Sequence, residues 1–293
     1  MSSSPNNAPR ITVIGIGTMG GAFVHRLLDA GLPVTVWSRE ETDTAPFVTL
    51  GATAQGNPHD AVANAEVVIT MLPTPDITRE VMIDQGILSA MAPRSVWLQM
   101  ATIGSVATEQ LVTATASTRP DVTFVDAPVS GSRQPAESGQ LVILASGPES
   151  TRQLLDPVFA ALGKSTVWLG PAGAGSQMKL VLNTWLAFQI EGAAESFALL
   201  EHFHVDAGPL VEILSESPLA SPYALAKLKK MIAADYSPDF SLALATKDLT
   251  LVESDAGEGP VPIASAIGER WRALAATGAG ELDVAAAHQG LDR

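Results

Sequence analysis

The chain has 293 residues, 46% hydrophobic and 16% charged, a composition that fits a globular protein with room for two domains and excludes a disordered one. A formal net charge of −14 excludes a nucleic-acid surface, which needs clustered Lys and Arg, and the lack of cysteine excludes disulfides and thiolate metal sites. The polar opening 1–9 (MSSSPNNAP) reads as a disordered tail rather than a signal peptide, and no charge-free apolar run reaches the roughly 18 residues of a membrane span, so a soluble, cytoplasmic protein is expected.

Residues 10–15 (RITVIG), 33–38 (PVTVWS), 66–72 (EVVITML), 95–100 (SVWLQM) and 122–126 (VTFVD) read as buried strands. They are short, rich in Val and Ile, and bounded by Gly, Pro or polar residues. Helical patterns such as 19–30 and 105–117 lie between them. Strands alternating with helices imply a parallel sheet covered on both faces, with 141–145 and 166–169 extending it. Beyond residue 170 the pattern changes. Residues 177–203 form one proline-free helical stretch, apolar around most of its circumference, which must be buried between other elements or between subunits. Further helices are expected at 207–215, 222–233, 241–255, 260–276 and 282–289, with no strand among them. The predicted fold class is α/β: an N-terminal Rossmann-type doubly wound parallel sheet over 10–170, then an all-helical domain over 171–293.

The turn after the first strand is Gly15-Ile16-Gly17-Thr18-Met19-Gly20, with the spacing G-x-G-x-x-G. A chain with 24 glycines produces such spacings by chance. Here the turn ends a strand and opens a helix, the context that dinucleotide binding requires. Gly15 permits the tight turn, Gly17 lets backbone approach a pyrophosphate, and Gly20 lets the helix pack against the strand. Gly15, Gly17, Thr18, Met19 and Gly20 are therefore the candidate cofactor contacts. The second strand ends in Trp37-Ser38-Arg39, where NAD sites usually place an acid. Ser38 and Arg39 suit a 2′-phosphate and point to NADP(H) ahead of NAD(H), although Glu40 and Glu41 follow directly. The alternative for Arg39 is an ordinary loop cation.

Lys179 and Asn183 are four residues apart on the long helix and share one face. A lysine in so apolar a helix is costly unless it is paired, functional or able to snorkel to solvent. Burial or a neighbouring cation would lower its pKa toward a value useful in proton transfer. The segment DAPVSGS at 126–132 leaves a strand through Pro128 and ends in a turn of small residues. Successive backbone N–H groups there, with the Ser130 and Ser132 hydroxyls, suit a carboxylate; the alternative is a plain strand-ending loop. Lys247 precedes Asp248 in a late helix, where an ordinary ion pair is the alternative.

Taken together, VIGIGTMGG at 13–21, MLP at 71–73, ATIG at 101–104, DAPVSGS at 126–132, GAGSQMKLVLN at 173–183 and KDLTL at 247–251 resemble the β-hydroxyacid dehydrogenase family, typified by 3-hydroxyisobutyrate dehydrogenase. The resemblance spans about residues 10–290. The run SGSRQPAESGQLVIL, beginning at residue 130, looks most like its glyoxylate and succinic semialdehyde reductase branch. The resemblance implies that Lys179 is the catalytic lysine and that Asn183 orients the substrate oxygen. It implies that Ser130, Gly131 and Ser132 hold the substrate carboxylate. Leu72, Pro73 and Thr102 would line the cofactor, with Lys247 near its nicotinamide end. Ser132 stands where the family often has glycine. The expected reaction passes a hydride between NADP(H) and a small β-hydroxy acid or aldehyde acid.

Two rivals differ in class. Imine reductases share the architecture but generally carry Asp or Tyr where Lys179 stands. A non-catalytic cofactor-binding relative would be expected to lose that lysine. His202 and His204 fall on different helix faces, so no metal is expected. Glu191 and Glu195 share a face and read as interface or capping partners. The surplus apolar surface of the long helix predicts a homodimer or homotetramer, as does the resemblance, in which one subunit's helical domain helps close its neighbour's site.

Overall fold

The computed structural model describes residues 8–40, 43–257, 259 and 261–291. Most of the expected tail, Glu41 and the expected helix start at Pro260 therefore lie outside the described residues, while Pro9 is buried. The chain divides into two compact units, Met1–Lys179 and Leu180–Arg293.

The first unit opens β1 (Ile11–Ile14), α1 (Thr18–Asp29), β2 (Val34–Trp37), α2 (Ala45–Thr49), β3 (Thr53–Ala54), α3 (Pro58–Val62) and β4 (Val67–Thr70). It continues α4 (Pro75–Arg79), a π-helical turn (Glu80–Asp84), α5 (Ile87–Ala90), β5 (Val96–Gln99), α6 (Ser105–Thr118) and β6 (Thr123–Asp126). The six strands pair in parallel in the order β3-β2-β1-β4-β5-β6, the doubly wound order of a Rossmann sheet. Period-two alternation explains its two cores. Val67, Ile69, Val96 and Leu98 pack with Phe23, Leu27 and Phe159 on one face. Val68 and Trp97 pack with Val62, Leu88 and Leu111 on the other.

After β6 the chain forms β7 (Val129–Ser130), α7 (Arg133–Glu137), β8 (Leu141–Ala145), α8 (Arg152–Leu162) and β9 (Gly163–Trp168). Here the sequence expectation needs correction, because residues 141–145 and 166–169 do not extend the parallel sheet. They belong to a separate three-stranded sheet, β7-β8-β9, in which β7 runs antiparallel to β8. Pro128 has no N–H to continue a ladder. The chain then reverses, and Asp126 and Ser146 exchange backbone hydrogen bonds of 2.9 and 2.7 Å in an antiparallel bridge. Apolar periodicity marks a strand but does not say which neighbour it takes.

The 30-residue helix α9 (Ala174–Phe203) starts in the first unit and ends in the second. The second unit adds α10 (Gly208–Ser215), α11 (Pro222–Ile232), α12 (Leu242–Ala256) and α13 (Pro262–Ala276), and no strand among the described residues. Trp271, Ile190, Phe197, Leu228 and Leu249 form its core. The last segment, read from sequence as an α-helix, is a 3₁₀ turn over Val284–Gly290. Asp283 decides this. Its buried carboxylate accepts from Lys227 Nζ and from the backbone N–H groups of Asp239 and Ala285, pinning the segment start. Glu191 is likewise a core residue, not an interface or capping group, because it accepts from the Arg270 guanidinium and from Trp271 Nε1. Among the described residues no helix is long and apolar enough to cross a membrane.

Candidate active site

The glycine-rich turn sits at the C-terminal end of β1, where open α/β sheets bind ligands. Gly15 has φ +91°, and a Cβ there would lie 2.5 Å from the Met71 carbonyl oxygen. A Cβ on Gly20 would lie 1.8 Å from the Gly15 carbonyl oxygen. The fold itself thus demands these two glycines. Gly17 differs: it is exposed, and a Cβ there meets nothing within 4 Å among the described residues. Its missing side chain leaves room for a partner other than protein. Gly17 also heads α1, whose first turn has no side-chain cap and no acidic residue. Uncapped N–H groups, open space and the positive end of the helix dipole together fit a pyrophosphate. Thr18 is exposed and Met19 half-buried on that turn.

The other positions read from sequence also cluster at strand ends. Ser38 and Arg39 follow β2, with Arg39 exposed and Ser38 half-buried. The Ser38 hydroxyl donates to Asp43 at 2.8 Å, a nearby carboxylate that the sequence reading missed. Buried Leu72 and exposed Pro73 follow β4, and half-buried Thr102 follows β5. Behind Thr102, Gln99 is fully buried: its Nε2 donates to the Ala101 carbonyl and its Oε1 accepts from the Ala101 N–H and from Thr70 Oγ1. That clamp sets the path of the loop.

Ser130 ends β7, and Gly131 has φ +130°, where a Cβ would lie 2.7 Å from Leu141 Cδ2 and 3.0 Å from Pro135 Cβ. Ser132 has φ −95°, an ordinary value for any residue, so serine in place of the family's glycine costs no backbone strain. Ser130 and Ser132 are half-buried and Gly131 is exposed.

The most elaborate construction holds the start of α9, where the helix begins three residues earlier than the sequence suggested. Gly175 N–H donates to Ser146 Oγ at 2.9 Å, and Ser176 N–H donates to Asp126 Oδ2 at 2.8 Å. The Ser176 hydroxyl donates to Asp126 Oδ1 at 2.8 Å and lies 3.0 Å from Thr108 Oγ1, which donates to the Gly104 carbonyl. Asp126, Ser146, Ser176 and Thr108 are all buried. Burial pushes the Asp126 carboxyl up to about 6, against the opposing pull of the Ser176 and Ser146 hydrogen bonds. Two hydroxyl hydrogens, on Ser176 and Thr108, must serve three gaps in series, from Asp126 through Ser176 and Thr108 to Gly104. A proton on Asp126 would complete the series by donating to Ser176 Oγ and freeing the Ser176 hydroxyl to turn to Thr108. Sequence reading noticed Asp126 only as part of a turn motif, and Ser146 carried no signal at all.

Lys179 lies one turn further along α9, half-buried, with Asn183 on the next turn of the same face. In the helical unit, buried Asn183 donates from Nδ2 to Asp248 Oδ2 at 2.6 Å, and Lys247 Nζ lies 2.9 Å from Asp248 Oδ1. Lys247 thus forms the ion pair with its neighbour that the sequence allowed as the alternative, and Asp248 also fixes the Asn183 amide, a contact the sequence reading missed. Trp185, on the same helix, is 63% exposed.

These features define a dinucleotide-binding α/β protein with a lysine held on a helix that starts at the sheet's ligand-binding edge. Residues 10–170 match the NAD-binding domain of 6-phosphogluconate dehydrogenase, and residues 173–291 match the NAD-binding region of NADP-dependent 3-hydroxyisobutyrate dehydrogenase. The chain is 32% identical to glyoxylate/succinic semialdehyde reductase 1 of Arabidopsis thaliana, over 93% of this chain and 95% of that protein. It is similar in structure to 3-hydroxyisobutyrate dehydrogenase of Mycobacterium tuberculosis, solved with L-serine, with TM-score 0.89, 27% identity and coverage of 98% and 100%. It is also 28% identical to human cytokine-like nuclear factor N-PAC, over 96% of this chain but 51% of that protein. The chain belongs to the β-hydroxyacid dehydrogenase family, in its 3-hydroxyisobutyrate dehydrogenase-like group. Membership places it with oxidoreductases that carry a nicotinamide-dinucleotide-binding fold.

Proposed function

We propose that this protein is an NADP(H)-dependent reductase of small aldehyde acids, or in reverse a dehydrogenase of the matching hydroxy acids, with Lys179 as its proton donor and acceptor. The observation that carries the reading is the placement of Lys179. It stands one turn into a helix whose start is bonded to the end of β6, at the sheet edge that also bears the open-sided Gly17 turn. When bound, the nicotinamide supplies or accepts the hydride. In the reducing direction the Lys179 ammonium donates a hydrogen bond to the substrate carbonyl oxygen and then its proton. In the oxidising direction the neutral amine takes the hydroxyl proton. Such a group contributes about two to four powers of ten as an acid, with electrostatic stabilisation of the developing oxyanion in addition.

The chain's other residues bind and orient. Ser130, the Gly131 N–H and Ser132 hold the substrate carboxylate. Asn183, its amide set by Asp248, directs the substrate oxygen. Gly15, Gly17, Thr18, Met19 and Gly20 hold the pyrophosphate, and Leu72, Pro73 and Thr102 line the cofactor. Arg39 and Ser38 take the 2′-phosphate, the Ser38 hydroxyl turning to it from Asp43. A small carboxylate substrate also fits the first relative, which is named for glyoxylate and succinic semialdehyde.

The test is spectrophotometric. Purified protein with NADPH or NADH meets glyoxylate, succinic semialdehyde, tartronate semialdehyde, methylmalonate semialdehyde and a cyclic imine. Rapid NADPH loss with an aldehyde acid supports the reading. Loss with NADH alone overturns the role of Arg39, and loss with the imine alone overturns that of Lys179.

The exposed apolar residues of α9 support self-association. Val181 and Phe203 are 62% and 63% exposed, and Met178, Phe188 and Leu199 are exposed too. A homodimer or homotetramer is expected by light scattering at micromolar concentration; a monomer would refute it.

A further inference from the structure

We infer that Asp126 is a positioning residue for Lys179: with Ser146 it caps α9 from outside the helix and so sets the rotation and depth of the turn before the lysine. The inference rests on the role proposed for Lys179 above.

A helix start leaves N–H groups without intrahelical acceptors, and the usual solution is a Ser, Thr, Asp or Asn at the N-cap itself. α9 instead begins in a run of glycine and alanine, Gly173-Ala174-Gly175, that supplies no cap from its own side chains. Its acceptors are brought from elsewhere. Asp126, from the last position of β6, takes the Ser176 N–H and the Ser176 hydroxyl on its two separate oxygens, both at 2.8 Å. Ser146, just after β8, takes the Gly175 N–H at 2.9 Å and donates toward Asp126 at 3.2 Å.

Two acceptors from two strand ends restrain both translation and rotation of the helix, which a local cap cannot do. Gly175 sharpens the restraint. A Cβ there would lie 2.2 Å from the Leu144 carbonyl oxygen and 3.1 Å from both Asp126 and Ser146 side-chain oxygens. The helix backbone is therefore pressed against β8 at its first turn.

The face so held is the one that matters. Ser176, Lys179 and Asn183 follow one another at i, i+3 and i+7, one ridge of the helix. The end of a lysine side chain lies roughly 8 Å from a helix axis, so a rotation of about 10° displaces it by more than about 1 Å. A displacement of that size at a reacting group costs on the order of a hundredfold in rate. Burying a carboxylate is costly where packing alone is needed. Its two oxygens earn their place by fixing a direction.

The experiment uses the full-length protein with Asp126→Ala and Asp126→Asn, assayed with the aldehyde acid that the wild type reduces fastest. Asp126→Ala is expected to lower kcat about a hundredfold with KM for NADPH unchanged within about twofold. Hydrogen–deuterium exchange over residues 174–183 should rise roughly tenfold while peptides spanning residues 11–29 keep wild-type protection. Asp126→Asn keeps an acceptor for the Ser176 N–H and should recover kcat to within about tenfold of wild type. Ser176→Ala, which spares the backbone bond, serves if Asp126→Ala does not fold, and should lower kcat about threefold to tenfold at unchanged KM for NADPH.

Unchanged exchange over 174–183 in a folded Asp126→Ala protein overturns the inference. So does loss of protection throughout the unit with a matching rise in KM for NADPH, which would mark a merely structural role. A wild type that consumes no NADPH with any carbonyl acid refutes the function proposed for Lys179, and the exchange measurement still decides whether Asp126 anchors the helix.

Discussion

Two helices of the first unit begin at strand ends and treat their N-termini in opposite ways. α1 starts at Gly17 with no side-chain cap, no acid in its first turn and open space in front of the glycine. α9 starts against Asp126 and Ser146, which take its first-turn N–H groups, and Gly175 is closed in by the Leu144 carbonyl. The same physical object, a cluster of N–H groups at the positive end of a helix dipole, is left open in one place, where binding is proposed, and serves anchorage in the other. What separates them is whether the protein supplies the anion or leaves it to a ligand. On the proposed function, the helix left uncapped is the one that would receive a diphosphate, and the helix capped from two strands is the one that would hold the lysine.

The largest effect that would test this contrast lies at the anchored helix. Lys179→Ala should lower kcat by about two to four powers of ten and leave NADPH affinity within about twofold. A variant with most of the wild-type turnover would break the assignment of chemistry to α9.

Next comes the carboxylate that anchors it. Burial holds the folded Asp126 carboxyl near 6, above its ordinary value of 3.8, so the folded protein binds that proton more tightly than the unfolded chain. Its contribution to stability is fully present below about pH 4 and is lost as pH rises through about 6. The gap corresponds to at most about 3 kcal/mol. Asp126→Asn removes this pH dependence, so denaturant titrations should show the variant gaining on wild type between pH 4 and 7. Parallel curves across that window would mean the carboxyl is not held as described.

Paired glycine substitutions sharpen the comparison directly. Gly175→Ala should lower stability by roughly 1–3 kcal/mol, because the new methyl meets backbone rather than a flexible side chain. Gly17→Ala should leave stability within about 0.5 kcal/mol yet weaken NADPH binding by about tenfold or more, read by thermal melts and fluorescence titration. The reverse pattern would erase the distinction between the two helix starts.

The smallest effect concerns the edge of the open one. Arg39→Ala should raise KM for NADPH about tenfold and leave that for NADH within about twofold. Equal change for both cofactors would make Arg39 an ordinary loop cation.

Much of this was legible in the linear chain because it depends on neighbours. Strand runs show as short apolar stretches, the glycine-rich turn shows by its spacing between a strand and a helix, and the shared face of Lys179 and Asn183 follows from helical period. The order of six motifs was enough to identify the family.

What the chain alone did not disclose are partnerships chosen across long separations. Asp126 meets Ser176 across 50 residues and Asn183 meets Asp248 across 65. Residues 141–145 leave the main sheet for a second one, and Glu191 turns inward to Arg270. Local pattern sets what a segment can become, since backbone geometry and solvent exposure act over a few residues. Which distant polar group it then satisfies is decided only when the sheets stack and a buried donor must find an acceptor.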